Sequence, residues 1–118
     1  MSDAPFILVV EDHQKIRGHI VLQLRDQGFA VNAVTSAEAA LEFLAANEPP
    51  DLLLVDVRLP AMSGIDLVRG LIDTQRMPPT IVISGEASIS ETVEALRLGV
   101  YDFIEKPFTR ERLISALV

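Results

Sequence analysis

Cysteine is absent from the 118 residues, and so is tryptophan. The first absence excludes a disulfide framework and any thiolate metal site, so stability has to come from burial. Aromatic residues make up only 5% of the chain against 49% hydrophobic residues overall, which leaves a core of Leu, Val, Ile and Ala, a composition suited to helices packed on a sheet. No apolar run approaches the ~20 residues that a helical bilayer crossing needs. The opening MSDAP lacks the positive-then-apolar pattern of an export signal, and the expected location is the cytoplasm. Positive charge is scarce as well, with 10 Lys and Arg against 17 Asp and Glu and a net charge of −7. Binding nucleic acid through this surface would need clustered cations to displace counterions from phosphate. The direct partners of this segment are therefore expected to be proteins or small ligands, with no direct nucleic-acid or membrane binding.

What is present is an alternation. Five short apolar runs, FILVV (6–10), AVNAV (30–34), LLLV (52–55), TIVIS (80–84) and VYDFI (100–104), are separated by longer stretches of helical period. Ile16, Ile20, Val21 and Leu24 form one stripe; Ala37, Ala40, Leu41 and Leu44 a second; Val68, Leu71 and Ile72 a third; Ile89, Val93 and Leu96 a fourth. Strands alternating with one-sided helices predict a single α/β domain, a parallel sheet covered by helices on both faces. The local signals agree: Ser88 and Glu91 fit a capping box, Ser36 and Thr109 stand at N-cap positions, and Gly28 and Gly99 follow helices. Pro49-Pro50 and Pro78-Pro79 close helix-to-strand links. The apolar period of the last helix, at Leu113, Ile114, Leu117 and Val118, is still running where the sequence stops, and the expectation is a segment of a longer chain.

Ligands of open α/β sheets bind outside the carboxyl ends of the strands. The first strand ends in Glu11-Asp12, the third in Asp56, the fourth in Ser84-Gly85, and the fifth is followed by Lys106-Pro107. Taken singly, Asp12 reads as a helix N-cap, Ser84 as a turn residue and Lys106 as a surface amine. Asp56 is harder to set aside, because it ends an apolar run and precedes a loop held by Pro60 and Gly64. Carboxylates brought to ~4 Å repel by about 4 kcal/mol per pair at an effective dielectric of 20. Such a cluster needs cations, and Lys106 with a hard divalent ion such as magnesium would supply them. An Asp beside both is a nucleophile toward phosphorus, giving an aspartyl phosphate.

Through "LVVEDHQKIR", "LLLVDVRLPAMSGIDLV" and "TIVISGEASISETVEALRLGVYDFIEKPF" the chain resembles, over essentially its whole length, the receiver domain of bacterial two-component response regulators. The resemblance implies a flavodoxin-like, CheY-like doubly wound sheet of five parallel strands in the order 2-1-3-4-5. It implies a receiver domain over 1–118, as the N-terminal part of a response regulator whose output domain binds DNA. It also implies a signalling switch, phosphorylated by a sensor histidine kinase and forming a homodimer on activation, that presents a changed surface around the fourth helix and fifth strand. Residue by residue, Asp56 falls on the phosphoacceptor. Glu11 and Asp12 fall on the acidic Mg2+ pair, with Asp56 and the backbone carbonyl of Arg58 completing the protein ligands. Ser84 falls on the switch hydroxyl, Lys106 on the phosphoryl-contacting lysine, and Phe103 on the switch aromatic, where many relatives carry tyrosine. Arg58 and Glu86 flank the phosphoryl site in relatives; here they either pair across its mouth and slow the attack of water or are two solvated charges. "GVYDFIEKPF" and "ISGEASI" look most like receivers of the nitrogen-regulation class, activators of an alternative sigma factor.

Tyr101 reads as a core residue, and His13 and His19, six apart and off a common helical face, as surface residues. Two other functions fit less well. A haloacid-dehalogenase-like phosphatase needs a second Asp two residues after its nucleophile, where this chain has Arg58. A flavodoxin-like binding module wants a Ser/Thr/Gly phosphate loop after the first strand, where "EDHQKIR" would repel a flavin phosphate.

Overall fold

A computed structural model describes residues 4–75, 77–85 and 89–117. Ten elements alternate along it: β1 (Phe6–Val10), α1 (Gln14–Asp26), β2 (Ala30–Val34), α2 (Ala37–Ala46), β3 (Leu52–Asp56), α3 (Gly64–Asp73), β4 (Thr80–Ser84), α4 (Ile89–Arg97), β5 (Asp102–Glu105) and α5 (Arg110–Ala116). The five strands form one parallel sheet in the order β2-β1-β3-β4-β5, as the resemblance implied.

Because side chains alternate across a strand, β1 and β3 as far as Val55 can be apolar at every position only if both faces are covered. They are. Ile7, Val9, Leu54, Ile81, Ile83 and Ile104 pack on Ile20 and Leu24 of α1 and Leu113 of α5. On the opposite face Leu8, Val10, Leu53 and Val55 meet Ala37 and Ala40 of α2 and Leu67 and Leu71 of α3. A third group, Val57, Ile65, Val68, Val82, Ala95 and Val100, fills the space between α3 and α4. Each buried Val, Leu or Ile contributes about 1.5–3 kcal/mol relative to exposure.

The helix ends follow the sequence signals with one substitution. Ser36 and Thr109 accept from Ala39 N and Arg112 N, and Gly28 and Gly99 take the left-handed φ of +92° and +93° that favours glycine at a helix end. The cap of α1 is His13, whose Nδ1 faces Ile16 N at 3.4 Å; Asp12 is left facing solvent instead of capping. Ser88 lies outside the described residues.

Three expectations are corrected. Val93 and Leu96, read as the inner stripe of α4, are exposed; the buried position of that helix is Ala95, because α4 meets α3 and the sheet through a small side chain. Tyr101, read as core, is 66% exposed. The fifth strand begins at Asp102 and not at residue 100: Val100 is buried between α4 and the sheet, and Tyr101 pairs only its backbone, donating to Thr80 O at 2.6 Å. Leu41 also stands at the rim of its stripe, 36% exposed.

Two contacts predict measurable effects. A Cβ on Gly64 would lie 2.2 Å from Asp56 O and 2.7 Å from Val55 Cγ1, so α3 starts directly against the backbone of β3. Gly64→Ala is expected to destabilise by about 1–3 kcal/mol in urea unfolding. Gly70→Ala, mid-helix with nothing within 4 Å of the new Cβ, is the control and should gain up to ~1 kcal/mol. At the outer edge, Arg112 of α5 contacts both Asp102 carboxylate oxygens at 3.2 and 3.4 Å and donates to Phe103 O at 3.3 Å. Burial alone would raise the Asp102 pKa, but the hydrogen bonds from Arg112 and the Phe103 amide outweigh it and hold the carboxyl below its ordinary value. The group therefore stabilises the fold at neutral pH, and that contribution is lost as pH falls through the depressed native value. Arg112→Ala should flatten the acid limb of a plot of unfolding midpoint against pH.

Candidate functional site

Register brings the polar strand ends together. Val10 is opposite Val55, so Glu11 follows its strand beside Asp56. Asp56 is opposite Ile83, so Ser84 stands one step beyond the apolar layer of its own strand, and Ser84 is opposite Glu105, which puts Lys106 just past the end of β5. Glu11, Asp56 and Ser84 are all buried, at 0, 3 and 1% exposure, whereas Asp12 is exposed and opens the site to solvent.

Lys106 sits between the two buried carboxylates. Its Nζ donates to Glu11 Oε1 at 2.7 Å and to Asp56 Oδ2 at 2.8 Å. The remaining oxygens accept from the backbone: Glu11 Oε2 from His13 N at 3.1 Å, and Asp56 Oδ1 from Arg58 N at 3.1 Å. Burial, opposed by the lysine and reinforced by neighbouring Asp56, pushes the Glu11 carboxyl up to about 7. Burial would lower the Lys106 pKa, but its bonds to Asp56 and Glu11 outweigh that and raise it, so the amine is firmly charged. Lys106 N donates to Ser84 O at 2.8 Å, tying the lysine to the end of β4, and the Lys106–Pro107 peptide bond is cis.

Carboxylate oxygens of Glu11, Asp12 and Asp56 lie within 4.8 Å of one another. An all-oxygen donor set, with one lysine charge set against three carboxylates and one edge open to water, fits a hard divalent cation that keeps part of its hydration shell. Softer metals would want nitrogen or sulfur ligands.

The remaining expected residues lie around this centre. Phe103 is half-buried against the third core group, and its other side borders a cleft of about 480 Å³ formed with Glu105, Pro107, Phe108, Thr109 and Arg112. The guanidinium of Arg58 reaches Glu91 Oε1 in the first turn of α4 at 2.8 Å. Glu86, its expected partner, lies outside the described residues. His13 and His19 are exposed, as read.

Sequence reasoning missed two contributors. Arg17 of α1 donates from Nη1 to the carbonyls of Glu11 and Asp12 at 3.1 and 3.2 Å, holding the turn that carries both acids. Its place in the first turn after an acidic strand end was a usable signal. Gly64 was read as a loop residue, while its tight approach to Asp56 O follows from the crossing of α3 over β3 and had no signal in the sequence.

The family described as "Response regulator receiver domain" matches residues 7–118. The transcriptional regulatory protein FixJ of Rhizobium meliloti (strain 1021) is 40% identical over 109 residues, 92% of this chain and 53% of that protein. The two-component response regulator PhoP of Pseudomonas aeruginosa is 37% identical over 111 residues, 94% of this chain and 49% of that one. The chain thus spans about half the length of these curated relatives. Among solved structures, a response regulator receiver protein from Pseudomonas putida superposes with a TM-score of 0.93 at 30% identity, covering 99% of this chain and 98% of that one. Sheet order, strand-end acids and the match across nearly all of the chain agree: it belongs to the response regulator receiver domain family.

Proposed function

We propose that the chain is a phosphorylation-operated switch in which Asp56 accepts a phosphoryl group from the phosphohistidine of a sensor kinase. The observation that carries this reading is the state of Asp56: a carboxylate 3% exposed at the end of a central strand, in direct contact with a partly buried lysine. Burying a charge costs several kcal/mol unless it is paired, and a site with no chemistry would be more stable with an apolar side chain.

In the transfer, an Asp56 oxygen attacks phosphorus, the P–N bond to the phosphohistidine, protonated on its other ring nitrogen, breaks with its electron pair on nitrogen, and the neutral imidazole leaves. Glu11, Asp12 and Asp56, with the carbonyl of Arg58, would hold Mg2+, which balances charge on the transferring group. Lys106 stays at Asp56 and accompanies the carboxyl group as it becomes the acyl phosphate. The new group adds about −1.5 to −2 charges and three acceptors. Ser84 donates its hydroxyl to one of them, and Phe103, set between core and cleft, has a second place to go. Lacking a hydroxyl, it reports the change through burial alone. The surface that changes is that of α4 and β5, where Val93, Leu96 and Tyr101 are exposed in the resting state, and the activated form pairs there with a second copy.

Arg58 stands where an external phosphatase needs an acid–base carboxylate, and a guanidinium carries donors only and no acceptor for a proton. Residues 1–118 are the receiver, and the output lies in the rest of a longer regulator, reading DNA. The relatives include the C4-dicarboxylate transport regulator DctD, of which the chain covers 25%, and NtrX-like response regulators, in line with a nitrogen-regulation class of output. No described helix is long and apolar enough to cross a membrane.

Incubation with acetyl phosphate and magnesium, read by intact mass, tests the reading. Gain of one phosphoryl group supports it, and no gain in the folded protein sinks it.

A further inference from the structure

Two of the attachments of Arg58 pull on different parts of the molecule. Its backbone N–H is bonded to Asp56 Oδ1, so the start of its side chain is fixed beside the acceptor carboxylate. Its guanidinium is bonded to Glu91, whose side chain is only 25% exposed, on the first turn of α4. One helical turn further, Arg69 of α3 bridges from its own Asp66 to Glu94 of α4. The inner acidic edge of α4 is thus tied to the β3–α3 segment by two arginines. Its apolar anchoring is thin: among the described side chains of α4, Ala95 alone is buried, and Val93 and Leu96 face outward.

We propose that Glu91 is a positioning residue for the phosphoryl site, acting through Arg58 as an exchange latch. The inference rests on the switch function above. In the resting state Glu91 draws the guanidinium toward α4 and off the mouth of the site. A phosphoryl group on Asp56 offers the same guanidinium a more highly charged, multidentate acceptor two residues away, and planar guanidinium groups favour such acceptors over a single carboxylate. Arg58 changes partner. α4 loses this arginine tie, and the guanidinium lies across the path by which water reaches phosphorus. Hydrolysis, in which water attacks phosphorus and the bond to Asp56 breaks to return carboxylate and inorganic phosphate, is slowed. Glu91 and the phosphoryl group therefore compete for one cation, and the lifetime of the modification and the anchoring of α4 are set by the same contact.

The test follows the decay of the acetyl-phosphate-loaded protein by intact mass in the wild type, Glu91→Gln, Arg58→Ala and the double variant. Glu91→Gln should lengthen the lifetime roughly two- to fivefold, the factor an exposed ion pair corresponds to. Arg58→Ala should shorten it, and Glu91→Gln should then have no further effect. Amide exchange across Thr92–Ala95 should quicken on phosphorylation of the wild type and be equally quick in unphosphorylated Glu91→Gln. Glu91→Gln acting alike with or without Arg58 overturns the latch, as does α4 exchange unchanged by phosphorylation. A wild type that takes no phosphoryl group overturns the switch function and the latch with it.

Discussion

Asp56→Asn is expected to abolish phosphoryl gain from acetyl phosphate while leaving the domain folded. The amide is nearly isosteric, keeps an oxygen to accept from Arg58 N or Lys106, and removes one of two buried carboxylates now competing for a single lysine. It should unfold at the same urea concentration as the wild type or a higher one, since the repulsion between Glu11 and Asp56 is relieved. Intact mass after incubation with magnesium and acetyl phosphate decides the chemistry, and a thermal melt of the same sample shows that the loss is not unfolding. Phosphoryl gain persisting in the variant would move the acceptor elsewhere, with Asp12, the exposed member of the acidic group, as the first place to look.

The second large effect concerns stability. Lys106→Met should cost about 3–5 kcal/mol in metal-free urea unfolding, because it strands two buried carboxylates without their cation. Magnesium should restore more stability to this variant than to the wild type, since a divalent ion would then be the only cation in the cluster and ligand binding to the native state adds stability by mass action. A variant as stable as the wild type without metal would show that the lysine offsets no carboxylate repulsion and that its role is confined to the phosphoryl group.

How much of this was legible beforehand follows from what each signal encodes. β1, β3 and β4 could be read because strands buried on both faces are continuously apolar, and their register then delivered Glu11, Asp56, Ser84 and Lys106 to one edge. Helical period, by contrast, identifies an apolar stripe without saying what covers it. In α4 the stripe of Val93 and Leu96 points outward and the helix is seated on Ala95, a residue too small to stand out. Tyr101 and the start of β5 were misread together: Val100 is buried as part of the turn, and the tyrosine lends the sheet only its N–H. The acceptor's neighbour Arg58 was legible as a residue of interest, but its partner Glu91 lies 33 positions away, and nothing local encodes which acid a long side chain will reach.

Three of the four strand ends that build the site, Glu11, Asp56 and Ser84, are each the first polar step beyond an uninterrupted apolar stack, and neighbouring strands are in register. Chemistry here is thus indexed by strand length. Deleting one residue from β1 would draw Glu11 back by about 3.3 Å and turn its side chain to the opposite face of the sheet, parting it from Asp56. Exchanging the terminal residues, by contrast, would leave every core contact in place. The scaffold and its reactive groups are separable modules: substitutions at the strand tips can retune the domain, whereas insertions or deletions within the strands should inactivate it even where the fold survives.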